Sequence, residues 1–266
     1  MKNKKEIKMR NVFITTVAVV ALAGAANAAD LTGAVGVEFT ENAAGNYVAT
    51  TTLNMGAKAG DLAFGSFAVE SVDGSTFALD SWQLGTTIGT ATVSIGDQGD
   101  VFPEAGLEIV GADTVADPAE HESLMVDLGK AAFMVGFTDV TNDVTDVANV
   151  QASVTTALAG ADVTLAVDFD NATDNLTYGT SVGYKADIAT FGLVATYADS
   201  TELFAYEASA SKGIFTAFVN GDSDTMAQNV GAGVNTMFGG LNVYAEGSYN
   251  LDAKDSVVGA GVSLSF

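Results

Sequence analysis

From Leu31 to the carboxy terminus, apolar residues alternate with small or polar ones in segments roughly ten residues long. A period of two places successive side chains on opposite faces of an extended strand, so each segment has one apolar and one polar face. Val257 to Phe266 sets Val258, Ala260, Val262, Leu264 and Phe266 against Gly259, Gly261, Ser263 and Ser265. Asp162 to Asp170 sets Val163, Leu165, Val167 and Phe169 against Asp162, Thr164, Ala166, Asp168 and Asp170. Between Thr177 and Lys185, Tyr178, Thr180, Val182 and Tyr184 oppose Thr177, Gly179, Ser181, Gly183 and Lys185. About sixteen segments follow this rule, starting near Leu31, Tyr47, Leu62, Phe77, Ala91, Ser123, Ala132, Val147, Asp162, Leu176, Phe191, Leu203, Ile214, Gln228, Leu241 and Asp255. The third, fourth and thirteenth change phase partway or admit two registers.

The links between segments come in two alternating kinds. After even-numbered segments they are tight, as at Gly89-Thr90, Gly160-Ala161 and Gly239-Gly240. After odd-numbered segments they are mostly longer and acidic: Glu41 to Asn46, Val72 to Thr76, Asp97 to Glu122, Asn142 to Asp146, Asn171 to Asn175, Asp199 to Glu202, Gly221 to Thr225 and Asp252 to Lys254. Both prolines, Pro103 and Pro118, fall in the longest link. Proline cannot donate to a strand ladder, so its absence elsewhere fits a chain that is nearly all paired strand. Short turns on one rim and long loops on the other describe a transmembrane antiparallel β-barrel, whose closure leaves no unpaired edge. A secreted soluble β-sandwich or β-solenoid shares the alternation and the glycine content, but not the two kinds of rim.

The first 28 residues read differently. Lys2, Lys4, Lys5, Lys8 and Arg10 precede an apolar run from Val12 to Ala26, and Ala26-Asn27-Ala28 is a small-x-small cleavage site. The run is shorter than the roughly 20 residues a spanning helix needs. Residues 1–28 are therefore expected to be a cleaved signal peptide, and 29–266 a single barrel domain. Beyond residue 28 the chain carries five lysines against 32 acids and no arginine. That charge repels phosphate backbones and excludes nucleic acid as a partner. The lack of cysteine excludes disulfides, Cys-ligated zinc, Cys nucleophiles and a lipoprotein anchor.

The terminal VSLSF ending at Phe266, and IGTATVSIGDQGD from Ile88 to Asp100, which is similar to the strand leading into a constriction loop, carry a family likeness. On them the chain resembles the general porins of Gram-negative outer membranes, in particular the sixteen-stranded alphaproteobacterial type. The resemblance implies an outer-membrane location, a third outer loop folded into the lumen, a homotrimer, contacts with lipid and lipopolysaccharide, and delivery to the barrel-assembly machinery through the strand ending at Phe266. It also implies passive passage of small hydrophilic solutes and ions. General porins usually set a cluster of arginines and lysines opposite an acidic third loop; here arginine is missing, and Lys58, Lys130, Lys185 and Lys212 lie by the short turns.

Read as chemistry, the long link offers Asp97, Asp100, Glu104, Glu108, Asp113, Asp117, Glu120 and Glu122 as constriction-loop acids, with Val101, Phe102, Leu107, Ile109 and Val110 as apolar residues that favour folding inward. Glu38, Asp127, Asp162, Asp168, Glu207 and Glu246 are in phase with the lumen face. Confined acids between low-dielectric walls concentrate cations and exclude anions, so a cation preference is expected. The bland counterpart is a solvated loop and a screened wall. Asn220, Asp222 and Asp224 alternate as calcium ligands do, but Thr225 and Gly231 break the EF-hand pattern. No dedicated cofactor is expected, only loose calcium or magnesium at the acidic outer loops. His121, the single histidine, lies beside Glu120, Glu122 and Ser123 without a nucleophile motif, and no enzyme is expected. Phe39, Tyr47, Phe64, Phe77, Tyr178, Tyr184, Phe191, Tyr197, Phe204 and Phe238 are candidates for interfacial girdles, some of them turned to the lumen. A non-conducting structural or adhesive barrel is the competing function.

Overall fold

The computed structural model describes residues 30–41, 47–59, 63–99, 101–103, 121–139, 143–223 and 228–266. The described residues hold sixteen strands and no helix: β1 (Asp30–Glu41), β2 (Tyr47–Ala59), β3 (Ala63–Val72), β4 (Ala78–Ile88), β5 (Ala91–Asp97), β6 (Glu122–Asp127), β7 (Ala131–Asp139), β8 (Asp143–Leu158), β9 (Ala161–Asp170), β10 (Asn175–Lys185), β11 (Thr190–Ala198), β12 (Leu203–Lys212), β13 (Phe215–Asp222), β14 (Gln228–Phe238), β15 (Leu241–Asn250) and β16 (Asp255–Ser265). Each pairs antiparallel with its chain neighbours, and β16 pairs with β1, so the sheet closes on itself. At the seam Gly33 and Phe266 exchange both backbone bonds at 2.9 Å, leaving no edge. The signal-peptide reading of residues 1–28 lies outside the described residues.

Alternation decides which way each strand faces. Val35 and Phe39, Leu165 and Phe169, Phe204, Val230 and Val234, and Val258, Val262 and Leu264 are all exposed, and all stand on the phase that points outward. The opposite phase carries Ser94, Ser123, Gln151, Asp168, Thr196, Glu207 and Asn229, which are buried. A soluble protein would bury the apolar phase; this barrel turns it out and keeps polar groups in.

The short turns explain themselves. Ala159 and Gly160 have φ of 53° and 85°, and Gly239 and Gly240 have 60° and 89°. Two consecutive positive φ values make the tight hairpin turn whose twist matches the strands it joins, and glycine adopts them without strain.

The phase change of the fourth segment is a β-bulge, whereas the third keeps one alternation throughout, its apparent change coming from the inward Phe64. Ala68 pairs with Ser81 while Val69 pairs with Leu79, so Asp80 is an extra residue that resets the alternation. One boundary differs from expectation. The eighth strand starts at Asp143 rather than near Val147, and irregular pairing from Gly136 to Asp139 carries the ladder to an Asp139–Asp143 pair. The acids and threonines there resemble a loop in composition, yet they pair as strand beyond the apolar belt.

The girdle residues Phe39, Tyr47, Tyr178, Tyr184, Phe191, Tyr197, Phe204 and Phe238 are exposed on the outside, whereas Phe64 is not part of the girdle. Its ring lies inside the barrel across Gly85, its partner on β4.

Candidate pore and its constriction

The long link after β5 turns into the barrel. Gln98 is the first anchor: its Nε2 donates to Ser123 O and Oγ at 3.1 and 3.2 Å, and its Oε1 accepts from Gln83 Nε2 at 2.7 Å. Gln83 and Ser123 both stand on the inward phase. Three residues on, the Val101 N–H donates to Gln151 Oε1 of β8 at 3.0 Å. Phe102 then reaches β10. A Cβ on the inward-facing Gly179 would lie 2.5 and 2.6 Å from the Phe102 ring and 3.0 Å from Pro103 Cδ. The described stretch thus runs from β5 across the wall to β10, five strands round the barrel, with Phe102 5% exposed. His121 returns the chain to the wall, where its Cβ would lie 3.1 Å from a Cβ on the inward Gly136.

This path sets the shape of the lumen. Under it the wall is sealed, with Ser123 at 0%, Met134 and Gln151 at 1% and Asp168 at 4% exposure. Asn149 Nδ2 donates to Asp168 Oδ1 at 3.0 Å, tying two of the covered groups together. Across the barrel, Thr32, Asn54 and Ser66 on the inward phase of β1, β2 and β3 are exposed. The open passage therefore lies between the loop root and β1–β3.

The expected site residues fall into three groups. Asp100, Glu104, Glu108, Asp113, Asp117 and Glu120 lie outside the described residues. Asp97 and Glu122 are corrected: they are the last residue of β5 and the first of β6, not loop residues. Alternation puts them with Ile95 and Leu124 on the outward side, where Glu122 Oε1 accepts from Trp82 Nε1 at 3.3 Å. The two strands simply run further than an acid-rich sequence suggests.

The third group is the wall. Glu38, Asp127, Asp162, Asp168, Glu207 and Glu246 all stand on the inward phase of their strands, spread round the barrel rather than clustered. Glu38 accepts from Thr40 Oγ1 at 2.9 Å, Asp127 caps the β6–β7 turn by accepting from the Gly129 N–H at 2.6 Å, and Glu207 is 3% exposed. Further charges join them, among them Asp170, on the phase of Asp168, and Asp222, on the phase of Asn220. Glu70 pairs with the inward Thr52, Lys58 with the inward Phe64, and Lys185 alternates with the outward Tyr184. Glu70 was hidden because Phe64 stands on the same inward phase of β3 and blurs which face is apolar; reading backward from the lysines by period two would have found the other pair.

Of the calcium candidates, two of the three can be placed. Asn220 and Asp222 are alternate residues of β13, about 6.6 Å apart along an extended strand, and Asp224 lies outside the described residues. Among the described residues no group of three or more His, Cys, Asp or Glu could hold a metal.

No protein-family model matches the chain, and no curated protein does. Solved structures do. A mutant of the Rhodobacter (Rh.) blastica porin superimposes with a TM-score of 0.62 at 16% identity, covering 90% of this chain and all of that one. Salmonella typhi OmpF, solved with daunomycin, gives 0.66 at 12% identity, over 90% of this chain and 97% of its own. A loop L8 deletion mutant of OmpT, an outer membrane protein of Vibrio cholerae, gives 0.60 at 14%, over 90% and 99%. At these identities the likeness is one of fold, and it extends over the whole described barrel: the chain has the closed sixteen-stranded architecture of the porins.

Proposed function

We propose that this protein is an outer-membrane porin that passes small hydrophilic solutes and ions passively and prefers cations. The observation that carries the reading is the loop root, which turns inward from β5 and seats Phe102 on the inward Gly179 of β10 inside a polar-walled barrel. A structural or adhesive barrel has no need of an open polar wall on β1–β3 opposite such a loop. The cation preference rests on the wall: the six expected acids, with Glu70, Asp170 and Asp222, face inward against Lys58 and Lys185, in a chain with no arginine after residue 28. The acids at 104–120 would add to it. As in the porins it resembles, the protein is proposed to form a homotrimer in lipid and lipopolysaccharide, assembled through the strand ending at Phe266. Calcium or magnesium binds loosely at the acidic outer loops.

The test is single-channel recording in a planar bilayer under a KCl gradient. Stepwise conductance with a cation-selective reversal potential supports the whole reading. Steps with anion preference overturn the charge argument alone. No steps from protein that shifts in mobility on heating, as folded barrels do, favour the non-conducting barrel.

A further inference from the structure

Four outward-facing positions in neighbouring strands are small. Ala210 of β12 pairs with Ala217 of β13, Ala217 with Ala232 of β14, and Ala232 with Gly247 of β15, which pairs with Val258 of β16. In the outward rows on either side, Val219, Val230 and Tyr249 toward the loop rim and Phe215 and Val234 toward the short-turn rim are larger, while Ala208 and Ala245 are small. The result is a groove of about 610 Å³ with almost wholly apolar walls.

Register gives the groove a direction. Ala210 and Ala217 lie beside the short turn between β12 and β13, whereas Val258 is the fourth residue of β16, counted from its loop-rim end. Crossing four inter-strand spacings of about 4.8 Å, the row runs for roughly 19 Å. Because barrel strands tilt by about 35–45°, it climbs obliquely from the short-turn rim toward the middle of the wall. Lys212 stands at the low end, on the outward phase of β12, and lines the groove. The other short-turn lysines are placed differently, Lys58 and Lys185 facing inward and Lys130 sitting in a turn.

We propose that this groove holds one acyl chain of an anionic glycerophospholipid of the periplasmic leaflet, with the phosphate on the Lys212 ammonium. An apolar channel that begins at a cation on the rim and rises into the hydrocarbon has the layout of such a lipid, polar at one end and extended at the other. Charge selects the headgroup, since a phosphate carrying no compensating cation gains most from a lone lysine on a strongly acidic protein. The site rests on the membrane reading above, and the conductance of the same preparation tests that reading separately.

The experiment is native mass spectrometry of the folded protein released from detergent after incubation with dioleoyl phosphatidylglycerol or dioleoyl phosphatidylcholine. The wild type is expected to retain one phosphatidylglycerol per protomer at a lower lipid concentration than phosphatidylcholine. Lys212→Glu should weaken phosphatidylglycerol retention at least about fivefold and abolish the preference. Ala232→Leu, which fills the groove from the outward face, should reduce retention of both lipids, and heat-dependent gel mobility reports that each variant is folded. Equal retention of both lipids by the wild type, or retention unchanged in both variants, overturns the proposal. So does loss of the oligomer in Ala232→Leu with lipid retention intact, which would mark the groove as a contact between copies of the chain. Channels that conduct while lipid retention is indifferent to all three proteins would remove the groove and leave the porin reading standing.

Discussion

Replacing Gly179 by alanine should release the root of the constriction loop. The new Cβ would lie 2.5 Å from Phe102 Cε1, so the ring must withdraw by about 1 Å to reach ordinary contact. The ladder around it has nothing to lose, because Gly179 pairs through its backbone with Ala166 and Thr196, both compatible with a methyl neighbour. What is lost is docking. Seating a phenylalanine is worth about 2–3 kcal/mol and the Val101–Gln151 bond about 1 kcal/mol more. Losing about 2 kcal/mol of that raises the undocked fraction roughly thirtyfold. Phe102→Ala removes the same contact from the other side and should act alike. The double variant should be no worse than either single one, since the alanine methyl then meets no ring. Two assays read the effect. Single-channel steps should become larger and noisier, and Glu-specific proteolysis at Glu104, Glu108 and Glu120 should speed up by a similar factor where cleavage follows the open population. Wild-type noise and wild-type cleavage rates in both single variants, with folding intact on unboiled gels, would refute the claim that Phe102 and Gly179 hold the loop.

Other consequences follow from the same geometry. Alanine at Gly85, Gly231 or Gly261 would run into the rings of Phe64, Phe218 and Tyr244 respectively, and should cost about 1–3 kcal/mol in urea unfolding of the refolded barrel. Trp82, the single tryptophan, lies on the outward side by Glu122, so nitroxide-labelled lipid should quench its emission more strongly than iodide does; the reverse order would place it in the lumen. Neutralising wall acids in the pair Glu38→Gln and Glu246→Gln should move the reversal potential toward zero. Each charge, at about 5 Å in water-like surroundings, is worth under about 1 kcal/mol, so the permeability ratio should fall by no more than about fivefold per site. A reversal potential unmoved by both would take the selectivity away from the wall.

The barrel was legible because its two demands, apolar out and polar in, are written with the shortest period a chain can have. Fifteen of the sixteen strands begin within one residue of where alternation puts them, and β8 does not, because the sequence from Asp143 to Asp146 reads as an acidic link and the extra residues of its irregular pairing with β7 lie on β8 itself. Glu70 was hidden by a different ambiguity, the inward Phe64 that shares its phase in β3. The site was less legible for a different reason. A residue's side of the wall follows from its own parity, but the path of a loop through the lumen depends on partners far off in sequence: Val101 on Gln151, Phe102 on Gly179. Acid content pointed to the loop; it is glutamines and one phenylalanine that steer it. Asp97 and Glu122 were misplaced because charge was read as loop where parity already set them outside.

One packing device links the wall to the loop. Inside the barrel Phe64 lies across Gly85, Phe218 across Gly231 and Tyr244 across Gly261, and each ring comes from the residue paired directly opposite its glycine. An inward glycine leaves a recess in the pleated wall, and an aromatic neighbour on the next strand fills it. Gly179 is also an inward glycine, but its two partners are Ala166 and Thr196, neither of which can cover it. The ring that does so is Phe102, brought from the loop. The loop is thereby packed into the barrel by the same contact that packs the barrel's own strands. It follows that a ring supplied locally should compete with the loop: Thr196→Phe, opposite Gly179, should fill the recess, displace Phe102 and widen the channel, while leaving the strand ladder intact. A Thr196→Phe channel with unaltered conductance would mean that the loop is held by its glutamine bonds and not by the recess.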